Sequence, residues 1–373
     1  MPQNPTPNAF RAFLHREWRQ IIVINKSDRP WQMPAAAALA IGLPLLVGCG
    51  FGHMDYGLIS SLGGMVFLNL PETPLHHRMV QLIACAFAMS ASYALGALSH
   101  LFPPAMMVVL TFVAILVTML CRFYRVGPPG GLFFTMAAAV AAYSPCEVLE
   151  IPRRVGLITL GCLLAALIAF FYSLVILRRR PAAPIEPLPP ATFDFVVFDS
   201  VVIGCFVGVA LLLAQFLQLE KAYWVPVSCL VVMQGMSLRA IWEKQLHRIL
   251  GTGIGLLTAW GLLMLPFNNW SLSFTMMAIA FIVETTVVRH YGFAMVFITP
   301  LTILLADAAT LDPNAVGTLV EARFFDTVLG CLTGFAGGTC LHSPRFRAAM
   351  GSRLRRLLQA GRWEPSRQTP TRN

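Results

Sequence analysis

Residues 104–121 read PAMMVVLTFVAILVTMLC, eighteen positions without a charge, closed by Arg122. A helix of that length covers about 27 Å, close to the roughly 30 Å hydrocarbon core of a bilayer. It is apolar all round, so it has no face to turn to water. Outward from it the pattern repeats. Apolar blocks run over 33–52, 57–70, 79–98, 104–121, 130–144, 155–177, 196–217, 222–236, 247–266, 270–288, 291–306 and 317–340. The chain of 373 residues is 57% hydrophobic and 12% charged, about half the charge of an ordinary soluble domain. These observations predict an all-α polytopic membrane protein of about twelve transmembrane helices. The blocks opening near 57, 130, 222 and 291 are short, which fits core-buried or re-entrant helices as readily as full spans.

The net charge of +10 sits in the tails and in short loops between apolar blocks. That placement argues against a nucleic-acid partner and for the excess of Lys and Arg that marks cytoplasmic loops. With twelve spans and both termini cytoplasmic, all but Arg153, Arg154, Lys221 and Arg323 of the 27 Lys+Arg fall on the cytoplasmic side. Making any one short block re-entrant would invert everything after it and spoil the bias. Residues 1–32 form a basic N-terminal segment without a cleavable signal pattern. Within it, Phe10, Phe13, Leu14, Trp18, Ile21 and Ile22 share a helical face, which predicts a helix lying in the headgroup region. The nine Cys are scattered singly and show no metal-ligand spacing, so they read as small apolar packing residues. No nucleotide motif, nucleophile elbow or usable Ser/His/Asp arrangement is present; the reading is a non-enzyme with no cofactor.

Arg178-Arg179-Arg180-Pro181, followed by Pro184, Pro187, Pro189 and Pro190, reads as a stiff cytoplasmic linker over 178–195. It separates a first membrane half, 33–177, from a second, 196–342. The halves echo one another: His77-Arg78 and His247-Arg248 differ by 170 positions, Arg154 and Arg323 by 169, Leu160-Gly161-Cys162-Leu163 and Leu329-Gly330-Cys331-Leu332 by 169. Six spans in each half give both the same orientation, with a pseudo-two-fold axis along the membrane normal. The tail, 343–373, is Arg-rich and reads as a solvated, headgroup-facing segment.

Ionisable residues inside spans are costly and usually face partners or a water-filled path. Arg323 and its repeat counterpart Arg154, with Arg153 beside it, are the candidates to bind an anionic substrate on opposite walls of such a path. A guanidinium suits a carboxylate because its planar fork donates two parallel hydrogen bonds. Glu150, four residues before Arg154, is placed to neutralise it. Asp326, Glu321, Asp199 and Glu284 are the candidates to carry a coupling proton, Asp326 foremost because its protonation would release Arg323. A mutual Arg323–Asp326 ion pair at the outer interface is the structural alternative. Gly251-Thr252-Gly253-Ile254-Gly255 and the Gly334–Gly338 run read as close helix-packing surfaces.

Ala222-Tyr223-Trp224-Val225-Pro226, the stretch Leu246 to Gly255, Arg289-His290-Tyr291-Gly292-Phe293 through Thr299-Pro300-Leu301, and Arg323-Phe324-Phe325-Asp326-Thr327-Val328-Leu329-Gly330 resemble, in order and spacing, the fusaric acid resistance (FUSC) family. The likeness is clear over 220–340 and diffuse over 33–177. It implies export of aromatic carboxylic acids across a bacterial inner membrane, with a periplasmic adaptor protein as partner. It also implies kinship with plant aluminium-activated malate transporters, anion channels with arginines lining the pore. Longer relatives carry a sizeable cytoplasmic domain where this chain has a linker of about twenty residues. The expected function is an inner-membrane exporter of organic anions; a passive anion channel and a non-transporting accessory subunit are the alternatives. One chain holds two halves and so a complete path, with a homodimer as a further assembly.

Overall fold

The computed structural model describes residues 24–185, 192–307 and 316–360. The expected amphipathic segment at 8–22, part of the linker and the end of the tail lie outside the described residues. Those described are all-helical, without a strand. In chain order the helices are α1 Gln32–Gly50, α2 Met54–Gly64, α3 Leu75–His100, α4 Pro103–Phe123, α5 Leu132–Tyr143, α6 Ile151–Ile176, α7 Asp199–Phe216, α8 Trp224–Met233, α9 Leu238–Leu263, α10 Asn269–Thr286, α11 Tyr291–Asp307, α12 Val316–His342 and α13 Pro344–Ala360. Seven of the described helices are long and apolar enough to cross a membrane. Their lipid-compatible surface is evident in Phe87, Phe112, Leu160, Leu212 and Leu257, large apolar side chains left exposed. The chain is a polytopic α-helical membrane protein.

The four short blocks form short helices with a reason to be short. α8 has ten residues, about 15 Å, and every one of them is buried. α5 spans twelve residues, eight buried. α2 runs on into a 3-10 turn, Met65–Asn69. A helix enclosed by other helices has its apolar surface covered by protein and does not have to match the bilayer thickness.

Packing follows a recurring scheme. In the first half α2 lies on α1 and α6, and α3 on α5 and α6; in the second α8 lies on α7 and α12, and α9 on α11 and α12. The halves meet at two seams, α1 on α10 and α4 on α7. Two glycines at corresponding places in the halves permit close crossings. A Cβ on Gly161 of α6 would strike the Ser60 carbonyl of α2, and one on Gly330 of α12 the Val225 carbonyl of α8. The expected glycine packing is also seen on α9, where Gly251 and Gly255 abut Gly292, Met295 and Thr299 of α11.

Each seam is pinned by an ion pair. Arg29, just before α1, pairs with Glu284 of α10 at 3.2 Å; Arg122 of α4 pairs with Asp199 of α7 at 2.8 Å. The first half supplies the cation in both. With both partners largely buried, reversing one, Arg29→Glu, should destabilise the protein by about 3 kcal/mol. Adding Glu284→Arg should recover most of that, read as a return of the thermal midpoint in a double-mutant cycle.

The described part of the tail is a helix with one face on the bundle. α13 folds back so that Phe346 and Leu354 pack on the core beneath α7. Arg347 reaches Asp199 at 2.7 Å and Arg355 reaches Asp194 at 2.8 Å. Two acidic residues at the head of the second half thus turn an Arg-rich stretch into a docked helix.

Candidate functional site

Away from the two seams, Tyr143 of the first half meets an aromatic and cationic cluster built by α8, α11 and α12 of the second. Tyr143, the last residue of α5, lies 5.9 Å from Tyr223 between ring centroids. Tyr223 lies 5.0 Å from Trp224, the first residue of α8. The Arg323 guanidinium sits over the Trp224 ring, 3.3 Å from its centroid, and donates from Nη2 to Thr302 Oγ1 of α11 at 2.8 Å. Arg323 is only 4% exposed. A cation held on an indole face out of water is stabilised by the ring quadrupole and keeps its fork geometry.

Asp326, one helical turn along α12, is fully buried. Neither carboxylate oxygen has a hydrogen-bond partner among the described residues, and the charge acting on it is that of Arg323. A buried carboxylate without hydrogen bonds is costly unless a cation balances it or a proton neutralises it. The structure therefore places Arg323 and Asp326 among the buried residues of the bundle.

Arg154 is tied to the segment that follows α5. Its Nη2 donates to the Pro145 carbonyl at 2.7 Å, two residues past Tyr143, and to Glu150 at 3.1 Å. Arg153 pairs with the same Glu150 at 2.7 Å and lies over the Tyr56 ring, 5.1 Å from its centroid. Glu150 therefore clamps both arginines near the protein surface, as its spacing suggested. The halves are asymmetric here: the position of Asp326 in the 169-residue offset is Leu157 in the first half. Glu321 is exposed. Asp199 and Glu284 are not brought to the cluster. Asp199 opens α7 and Gln215 near its far end donates to Tyr143, a separation of about 24 Å along the helix. Both acids are engaged in the seam ion pairs.

Trp224, Tyr223, Tyr143 and Thr302 were not among the sequence-predicted site residues. The Tyr-Trp pair at the head of one of the short apolar blocks, in step with an intramembrane arginine, is the one signal that could have found them.

Residues 209–337 match the family model described as fusaric acid resistance protein-like. A curated relative, the uncharacterized membrane protein YvaC of Bacillus subtilis (strain 168), is 30% identical over 146 residues, which are 39% of this chain and 23% of that protein. The chain thus spans about a quarter of that relative's length. No solved structure matches. The family model covers α8 to most of α12, the helices that carry Trp224, Thr302, Arg323 and Asp326; over that stretch this chain is similar to fusaric acid resistance-like proteins.

Proposed function

We propose that the chain is an inner-membrane transporter of organic anions, aromatic carboxylic acids foremost, working in efflux. The observation that carries this reading is Arg323, buried, stacked on Trp224 and one turn from an unbonded Asp326. An aromatic acid presents the chemistry such a cluster accepts: a carboxylate for the guanidinium fork and a ring for Trp224, Tyr223 and Tyr143. Asp326 is the acid whose protonation would leave Arg323 free to take the substrate.

The two halves are read as parallel six-helix repeats about an axis along the membrane normal, with both termini cytoplasmic. The recurrence of the helix pairings supports this. So does the sign of the seam charges. Two copies of the first half in the same arrangement would set Arg29 against Arg122, and two of the second Asp199 against Glu284. Opposite charges at both seams favour a first half joined to a second, the pairing that one fused chain supplies.

The test is flux. Purified protein in liposomes should accumulate labelled 4-hydroxybenzoate against its gradient when a pH difference is imposed, and stop when it is collapsed. Flux that follows voltage alone would favour the anion channel; absence of flux would favour the accessory subunit.

A further inference from the structure

Trp224 opens α8, a helix whose every residue is buried, and is itself 2% exposed. Its indole is held from two directions. The Arg323 guanidinium covers the ring, 3.3 Å from its centroid, and the Tyr223 ring lies 5.0 Å away at an interplanar angle of 42°. A ring fixed in this way cannot turn toward a new partner without leaving the cation.

An indole has one hydrogen-bond donor, the Nε1–H, and no acceptor. In Trp224 that donor is buried and has no hydrogen-bond partner among the described residues. The acceptors of the cluster do not serve it. Thr302 Oγ1 accepts from Arg323 Nη2 at 2.8 Å and donates to the Thr299 carbonyl at 3.0 Å, and both Asp326 oxygens are also without a partner. The hydroxyls of Thr118 and Ser200 are buried and unbonded too, but a hydroxyl proton rotates about its C–O bond, whereas the direction of an indole N–H is set by the ring. A buried donor left unbonded costs stability unless a ligand satisfies it.

We infer that the Trp224 N–H is a specificity-determining donor: it binds one oxygen of the carboxylate that Arg323 holds by its guanidinium. The inference rests on the transport reading above and deepens it. The N–H lies in the plane of the indole, at its edge, and the guanidinium stands over the face of the same ring, so one small anion beside the pair meets both. A carboxylate has two acceptor oxygens and can serve two donors at once. A halide is a single sphere with nothing to span them. The pair thus reads the shape of the anion as well as its charge, and favours carboxylates over chloride.

Isothermal titration of the purified full-length protein in detergent tests this, with 4-hydroxybenzoate as the ligand and chloride as its competitor. Trp224→Phe keeps an aromatic face under Arg323 and removes the N–H. The variant should bind 4-hydroxybenzoate about tenfold more weakly, the worth of one hydrogen bond to a charged group, while chloride competes as before. Unchanged affinity for 4-hydroxybenzoate in Trp224→Phe overturns the inference alone and leaves the transport reading standing. Equal weakening of both anions also overturns it, since a structural defect would act on the two alike. No binding of 4-hydroxybenzoate by the wild type overturns the anion site itself and the inference with it. Where Trp224→Phe does not fold, the seven indole N–H signals of the nitrogen-15-labelled wild type decide. One should move downfield with 4-hydroxybenzoate and not with chloride; if none does, the Trp224 donor does not meet the carboxylate.

Discussion

Gly161→Ala should destabilise the protein, although helix propensity alone favours alanine over glycine by about 1 kcal/mol. Position 161 lies on α6 where the helix presses on α2, and the added Cβ would meet the Ser60 carbonyl. A carbonyl within a helix cannot swing aside as a side chain can, so two helices have to separate. Overpacking of this kind costs about 1–3 kcal/mol and sometimes more, and it outweighs the propensity gain. Gly156, on the same helix, has nothing within reach of an added Cβ. Gly156→Ala should therefore be neutral or stabilising, by up to about 1 kcal/mol. Gly330→Ala, where α12 presses on α8, should behave like Gly161→Ala. Thermal midpoints of the three purified variants decide the matter: a Gly161→Ala protein more stable than wild type would mean that α6 and α2 do not approach as described.

The second large effect concerns the charge pair in α12. Removing Arg323 leaves Asp326 buried without the cation that balances it. Leaving a buried polar group uncompensated typically costs about 1–3 kcal/mol, and more for a charged one, a large share of the 5–15 kcal/mol that ordinary domains possess. Arg323→Ala should therefore give a poorly folding protein. Arg323→Ala combined with Asp326→Ala should recover most of the loss, because neither charge then stays in the interior. Folded yield by size-exclusion chromatography and the thermal midpoint are the readouts. If Arg323→Ala alone matches the wild type, the two residues do not balance each other.

How much of this was legible can be judged helix by helix. The apolar blocks locate α1 to α12 because exclusion from water is a property of composition, and composition is local. Their ends were less legible. The block expected from 247 is α9, which begins at Leu238. Its first turns carry Arg239, Glu243 and Lys244, which hydropathy counts as loop. There Ser237 caps the helix by accepting from the Ala240 N–H, and Arg239 pairs with Glu243 at 2.9 Å. α6 likewise begins at Ile151 and takes in Arg153 and Arg154. The docking of α13 was hidden for a similar reason: two apolar anchors, Phe346 and Leu354, stand among five arginines, and the acids that pair with two of these, Asp194 and Asp199, lie before and at the start of α7.

The site was half legible. Arg154 and Arg323 were visible as charges in apolar surroundings related by one offset, and Glu150 as a neutralising neighbour. Thr302 was not, since a hydroxyl carries no signal until α11 and α12 are brought together. The roles of Asp199 and Glu284 were ambiguous in one dimension. A carboxylate near a span end can move a proton or pin a seam, and the location of Arg122, Arg347 and Arg29 against them is tertiary information.

The most direct measurement is pH-driven accumulation of 4-hydroxybenzoate in liposomes by the wild type and by the Arg323→Ala, Asp326→Ala double variant. The double variant is expected to be folded, so its flux reports on the site and not on stability. Loss of at least about a hundredfold in rate, roughly 2.7 kcal/mol, is the result this account predicts. Accumulation at the wild-type rate would contradict it and remove the Arg323–Trp224 cluster from the path of the anion.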